Sequence, residues 1–274
     1  VHMPRVGLGT FRLKGAACEA AVGAALRAGV RHVDTATCYR NAQAVGRAMR
    51  ASGVPREDVF VTTKVSPYEM GLAEAREALE RELGLLGLDY VDLALVHWPG
   101  VARKPPGAAV HASARADTWR ALERARDDGL ARAIGVSNYT PAHLAELLRG
   151  GAYRPQCVQV EAHPRLPQRE LRSYCEAEGI AFVAYSPLGC GELVSDPAVR
   201  AVASREGVTP AQALLLWSLA SYAAVIPKSA DPRRVEENAA LPCPSPLSAA
   251  SAAELGALAG QGECKYAWDP ADVL

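Results

Sequence analysis

Eight short β-branched runs, each separated from the next by a longer stretch of helical period, constrain this chain more than any other feature of it. The runs fall at 6–9, 31–35, 59–64, 91–97, 133–137, 157–161, 181–186 and 224–227. Helical periodicity spans 18–28, 42–51, 72–86, 115–128, 141–149, 169–178 and 210–221. No composition break interrupts the alternation, so residues 1–274 read as one α/β domain. Eight strand–helix units at this length fit a (β/α)8 TIM barrel better than an open doubly wound sheet. The joints agree with that register. Gly29, Gly129 and Gly179 stand where a helix hands over to a strand, and Thr140-Pro141 and Thr209-Pro210 supply N-cap hydroxyls with proline at the first helical position. Residues 100–111 read as a loop after the fourth strand. The chain past Asn238 is loop-rich, broken by Pro242, Pro244 and Pro246 before a short helix.

Charge narrows the function class. Thirty Lys+Arg balance thirty Asp+Glu, so there is no bulk attraction to nucleic acid or to an anionic membrane, and any anion site must be local. With 49% hydrophobic residues a sizeable core is possible, yet no long uncharged apolar segment or secretory signal pattern appears. Seven cysteines without CxxC spacing suit reduced thiols better than a disulfide framework. The histidines show no ligand spacing, and no metal is expected. These readings describe a soluble, cytoplasmic protein; separately, a monomer is expected.

Four polar residues then stand out. Asp34, Lys64 and His97 close successive apolar runs, and Tyr39 follows Asp34 by five residues. Singly, each has an ordinary explanation: a strand-end acid, a snorkelling lysine, a satisfied core histidine, a half-buried tyrosine. At the same ends of successive buried strands, however, they can share one pocket. There the lysine charge is expected to pull the phenol pKa down and make Tyr39 a usable general acid. Lys228 and Arg234, beside a strand-to-helix turn, form a local cationic cluster suited to a phosphate ester. Asp231 lies between them and is expected to N-cap the helix starting near Pro232. His163 is expected only to support a loop beside Pro164, and Trp217 to be helix core.

The motifs in order resemble the aldo-keto reductase family across more than 250 residues. They are the segment from Met3 to Phe11, then Asp34-Thr-Ala-Thr-Cys-Tyr-Arg-Asn41, Thr63-Lys64, His97-Trp98-Pro99, Gly135-Val-Ser-Asn138, Gln159-Val-Glu-Ala-His-Pro164, Ala184-Tyr-Ser-Pro-Leu-Gly189 and Ile226-Pro-Lys-Ser229 with Arg234 and Glu237-Asn238. The resemblance implies an N-terminal β-hairpin before the barrel and a short C-terminal loop segment. It implies reduction of aldehydes or ketones with NADPH, NADH being the lesser candidate, held without a Rossmann fold. Tyr39 would donate the proton, Lys64 would tune it, Asp34 would hold the ammonium and His97 would orient the substrate oxygen. Tyr185 would stack on the nicotinamide, with Ser137, Asn138 and Gln159 at its carboxamide and Thr10 nearby. Ser186 and Leu188 would flank the pyrophosphate. Lys228, Ser229 and Arg234 would clamp the 2′-phosphate, with Glu237 and Asn238 at the adenine.

Departures from the pattern bear on the substrate. Phe11, Cys38, Ser66 and Trp98 would line its pocket, but Phe11 and Ser66 stand where many members carry tryptophan, leaving Trp98 alone of that aromatic set. The short segment after Gly189 argues against a loop that locks the cofactor, and no long C-terminal specificity loop is expected. Two other readings stand beside the reductase: a cofactor-binding barrel serving as a regulatory subunit, and a phosphate-binding isomerase or aldolase using Lys64 or Glu161.

Overall fold

The structure, a computed structural model, describes residues 2–273; the first and last residues of the expected domain lie outside it. Eight strands form one parallel sheet in sequence order: β1 (Leu8–Gly9), β2 (His32–Asp34), β3 (Phe60–Val65), β4 (Val91–Val96), β5 (Ala131–Ser137), β6 (Cys157–Glu161), β7 (Ala181–Tyr185) and β8 (Ala224–Ile226). The last strand meets the first through a parallel bridge between Val6 and Val225. Gly7 N–H donates to the Val225 carbonyl and Val225 N–H to the Arg5 carbonyl, both at 2.9 Å. That pairing closes the barrel, and it also corrects one expectation. No hairpin precedes β1 among the described residues, because the opening segment spends its backbone groups on β8.

Strand parity explains the layering. Successive side chains alternate between the two faces of a strand. Phe60, Leu93, Leu95, Ala133, Cys157, Val183, Ala224 and Ile226 form one buried cluster, the barrel interior. Residues one step away, such as Val61, Ala94, Ile134, Val158 and Ala184, belong to the larger cluster between sheet and helices. Counting by twos along the inward face from Phe60, Leu95, Cys157 and Val183 arrives at Lys64, His97, Gln159 with Glu161, and Tyr185. The same alternation that fills the barrel with apolar side chains therefore sets polar ones at its C-terminal rim.

Helices wrap the outside: α1 (Gly15–Arg27), α2 (Ala42–Ser52), α3 (Leu72–Leu86), α4 (Val110–Asp127), α5 (Pro141–Gly150), α6 (Arg169–Ala177), α7 (Pro197–Glu206), α8 (Pro210–Ser221), α9 (Pro232–Ala239) and α10 (Ala249–Gly256). Capping boxes start α5 (Thr140 with His143) and α8 (Thr209 with Gln212), each with proline in the first turn. Gly29, Gly129 and Gly179 take φ of 85°, 79° and 68°, as the turn positions require. Two helical details differ from the sequence reading. Helix α4 begins at Val110, shortening the loop expected over 100–111, and α7 is an additional helix between β7 and β8. Its buried face is only Val199, Val202 and Ala203, too sparse a stripe to announce itself.

Backbone conformation separates the two ends of the barrel. Among the described residues, seven other than glycine adopt positive φ: Arg12, Arg40, Arg103, Asn138, Gln168, Ser186 and Cys190. All seven lie in loops that follow strands, on the rim where the polar residues gather.

Candidate active site

At the centre of that rim is a buried ion pair. Lys64, 1% exposed, donates from Nζ to Asp34 Oδ1 at 2.5 Å and to the Thr35 carbonyl at 3.0 Å. The other Asp34 oxygen accepts from Gln159 Nε2 at 2.8 Å. A lysine this enclosed persists because its charge is matched and its donors are used. Thr10, fully buried, bonds the Asp34 carbonyl through Oγ1 at 2.9 Å, which anchors the end of β2 from behind.

Tyr39 ends a short 3-10 turn, Thr37–Tyr39, just beyond β2. Its ring centroid lies 5.1 Å from Lys64 Nζ, and it meets the His97 ring edge-on at 5.7 Å. Asp34, Tyr39, Lys64 and His97 are thus brought together. Their electrostatics differ from expectation at one point. The Tyr39 phenol is pushed well above its ordinary pKa, chiefly by burial and then by the Asp34 carboxylate, instead of being pulled down by Lys64. The ammonium is already matched at 2.5 Å by Asp34, so little of its field is left for the phenol. Burial, reinforced by the Lys64 charge, holds His97 well below its usual pKa and leaves the imidazole neutral. Its Nδ1 lies 3.6 Å from Cys38 Sγ; although the residue is exposed, partial enclosure of the sulfur raises the thiol pKa. The rim therefore presents a protonated phenol and a neutral imidazole, two groups able to donate hydrogen bonds into one space.

Asn138 joins three strand ends. Its amide donates to the His97 carbonyl at 3.0 Å and to Ser137 Oγ at 3.1 Å, while Oδ1 accepts from the Tyr185 hydroxyl at 2.7 Å. This fixes the Tyr185 ring at the end of β7. Ser186, at φ 48°, follows it, with Oγ 3.8 Å from Cys190 Sγ, and Leu188 caps the next turn. Around the start of α9, Ser229 Oγ accepts from Asp231 N–H, and Asp231 caps the helix by accepting from Arg233 N–H at 2.9 Å. Arg234 Nε lies 3.6 Å from Asp231, with both side chains largely exposed. Lys228 is exposed and makes no ion pair among the described residues. These groups fit a phosphate ester: one unmatched ammonium, one loosely held guanidinium, a hydroxyl and the opening of a helix. Glu237 turns elsewhere, accepting from Thr209 Oγ1 at 2.6 Å, and Asn238 is buried beside β1. Glu237 thereby ties α9 to α8, and Asn238 stands one helical turn after Arg234 on α9.

The expected pocket lining is only partly assembled. Phe11, 51% exposed, lies 5.1 Å from the Tyr39 ring, and Cys38 is open at the mouth. Ser66 is buried, its Oγ accepting from Tyr68 N–H at 3.2 Å while its side chain bonds the Cys38 thiol. Trp98 stacks beside His97, and its indole lies 4.9 Å from that of Trp268. Sequence reasoning does not reach Trp268. It arrives because the fully buried Glu161 accepts backbone N–H groups of Tyr266 and Ala267 at 2.7 and 2.8 Å, with His163 at 3.1 Å on the same carboxylate. Those bonds hold the Glu161 carboxyl below its usual pKa against the opposing effect of burial. His163 thus supports a loop, as expected. The clamp spans some hundred residues of sequence, and only the isolated tryptophan before Asp269-Pro270 hints at it.

Among the described residues no cluster of histidine, cysteine or carboxylate side chains is arranged to share an ion, and no helix is long and apolar enough to cross a membrane.

Comparison with known proteins agrees with this geometry. Residues 5–259 match the model of the aldo/keto reductase family. A Trypanosoma cruzi protein described as 9,11-endoperoxide prostaglandin H2 reductase is 43% identical over 242 residues, covering 87% of this chain and 82% of that protein. A Bacillus subtilis glyoxal reductase is 42% identical over 240 residues, covering 87% and 83%. Among solved structures, MGS-M4, an aldo-keto reductase enzyme from a Medee basin deep-sea metagenome library, superposes with a TM-score of 0.90 at 35% identity, covering 100% of this chain and 97% of that one.

Proposed function

The chain belongs to the aldo/keto reductase family, and from that premise we propose that it is an NADPH-dependent oxidoreductase that reduces small aldehydes and ketones to alcohols. The observation that carries this reading is the meeting of the Tyr39 and His97 rings, 5.7 Å apart, over the buried Asp34–Lys64 pair.

Held by Tyr185, Ser137, Asn138 and the Lys228–Arg234 cluster, NADPH would supply a hydride for the carbonyl carbon. The chain's own residues manage the oxygen. His97, neutral, donates a hydrogen bond that orients the carbonyl. Tyr39 holds a proton at its hydroxyl and gives it to the oxygen as negative charge develops there. An alkoxide is more basic than a phenolate, so a phenol with a raised pKa still delivers its proton downhill. Lys64, paired with Asp34, lies beside the ring with its Nζ 5.1 Å from the centroid and fixes the floor on which the tyrosine stands. Tyr185, fixed by Asn138, provides a flat wall for the nicotinamide. Lys228, Ser229 and Arg234 favour the phosphorylated dinucleotide over NADH. Phe11, Trp98 and Trp268 enclose the substrate. The reading extends to a monomeric enzyme and to a cytoplasmic one, the latter supported by seven free cysteines.

The test is a fluorescence titration with NADPH and with NADH, each repeated as a turnover assay with 4-nitrobenzaldehyde, on wild type and Tyr39→Phe. The expected result is tighter NADPH binding, turnover in wild type, and in Tyr39→Phe unchanged cofactor binding with turnover lowered by about 10²-fold or more. Wild-type turnover in Tyr39→Phe would remove the tyrosine from its role. Binding without turnover of any carbonyl would replace the enzyme reading with that of a cofactor-binding subunit.

A further inference from the structure

Away from the barrel mouth, a cleft of about 290 Å³ opens between α4 and α5. Two buried polar atoms of its lining residues have no hydrogen-bond partner: Trp119 Nε1 and the Tyr139 hydroxyl. The two residues are 1% and 2% exposed. Indole N–H can only donate, and burial raises the Tyr139 pKa, so its hydroxyl keeps a proton to give as well. A buried donor left without an acceptor has lost its hydrogen bonds to water and gained none in return. A pair of them on one cavity is a demand for an occupant bearing acceptor oxygens.

The backbone keeps that demand open. A Cβ at Gly151 would lie 2.6 Å from Trp119 Nε1 and would cover the indole edge. Gly151 has φ −89°, a conformation open to other residues, so no turn geometry accounts for a glycine here. Leu147 and the Trp119 ring make the cleft largely apolar. The cations on its border are matched, Arg115 to Glu146 at 2.7 Å and Arg120 to Asp117, so the lining adds no net charge from these pairs. The volume equals about ten waters at ~30 Å³ each, or one molecule of single-ring size. The location is also specific. Tyr139 directly follows Asn138, and Arg115 donates to the Pro99 carbonyl at 3.1 Å, two residues past His97. Two of its lining residues therefore adjoin the ends of β4 and β5.

We propose that this cleft is a second ligand site, taking a compact, neutral, single-ring compound whose carbonyl or amide oxygen accepts from Trp119 and Tyr139. The site stands apart from the reductase reading, so either can fail alone. Benzamide is a suitable probe, because it has the required acceptor and is not a substrate for carbonyl reduction. Protein labelled with ¹⁵N at its tryptophan indoles is titrated with benzamide, the Trp119 resonance being assigned from Trp119→Phe. A saturable shift of that resonance is expected, with Kd of about 1 mM or tighter. Tyr139→Phe and Gly151→Ala, each checked for an intact melt, should weaken binding about tenfold, the equivalent of one lost buried hydrogen bond. A linear, non-saturating response up to the solubility limit would overturn the proposal and leave ordered water as the occupant. Equal affinity in Gly151→Ala would also overturn it, by placing the ligand elsewhere. Tighter binding of benzoate than of benzamide would overturn the neutral class.

Discussion

Removing Lys64 tests the architecture of the rim more directly than any assay of turnover. The ammonium and the Asp34 carboxylate are 1% and 3% exposed and 2.5 Å apart. In Lys64→Met the carboxylate stays buried with Gln159 Nε2 as its remaining side-chain donor. Breaking a buried pair from one side costs about 3–5 kcal/mol, because the abandoned charge has lost both water and partner. At about 2.1 cal/mol/K per residue, a chain of 274 residues loses roughly 5–9 °C in Tm for that cost. The double variant Lys64→Met/Asp34→Asn removes the abandoned charge, while the amide oxygen that replaces the carboxylate can still accept from Gln159. It should therefore recover to within about 2 kcal/mol of wild type, more stable than Lys64→Met alone. Urea denaturation of wild type, both single variants and the double closes the cycle. A double variant as unstable as the sum of the singles would refute the reasoning, since two residues that add independently are not one buried pair.

Two further perturbations concern a buried acid and the cofactor's phosphate. Burial raises the Glu82 carboxyl to about 7, so the native state keeps a proton that the unfolded chain releases above about 4.5. Stability from this group is present below pH 4.5 and is lost as pH rises to about 7, by up to ~3 kcal/mol. Glu82→Gln should thus be more stable than wild type at pH 8 and equal to it near pH 4.5; the same difference at both pH values would contradict this. His32, pushed down to about 4 by burial, acts in the opposite sense as pH falls below 6.5, which is why the variant difference and not the wild-type curve isolates Glu82. Finally, Arg234→Ala should weaken NADPH binding about tenfold and leave NADH unchanged, read by fluorescence titration; equal losses for both would take the guanidinium off the 2′-phosphate.

The barrel and the meeting of Asp34, Tyr39, Lys64 and His97 were legible because both rest on local pattern. Strand parity assigns each inward residue its face, and a parallel barrel sends every strand's C-terminal end to one rim. What was not legible rests on distance. Glu161 and Tyr266 lie far apart in sequence, and no local pattern pairs a strand-end acid with a tail. The hairpin failed for a similar reason, since Arg5 and Gly7 pair with Val225, more than two hundred residues away. The direction of the Tyr39 shift depended on a competition. Whether Lys64 acts on the phenol or on Asp34 turns on ångström-scale distances that residue order does not contain. Helix α7 was missed because its apolar stripe is three residues wide.

The left-handed residues of the rim carry a last consequence. Seven side chains hold a backbone shape that suits glycine, each at a cost on the order of 1 kcal/mol, and all stand on the mouth where the candidate chemistry lies. Replacing Arg40, Gln168 or Ser186 by glycine would return some of that energy, but it would also free the loops that now hold Tyr39, Glu161 and Tyr185 in place. Asn138 could not be replaced so, because its amide holds three strand ends at once. A descendant of this chain selected for heat tolerance would therefore have to find its gains at the opposite end of the barrel, and the working mouth would be the last part to change.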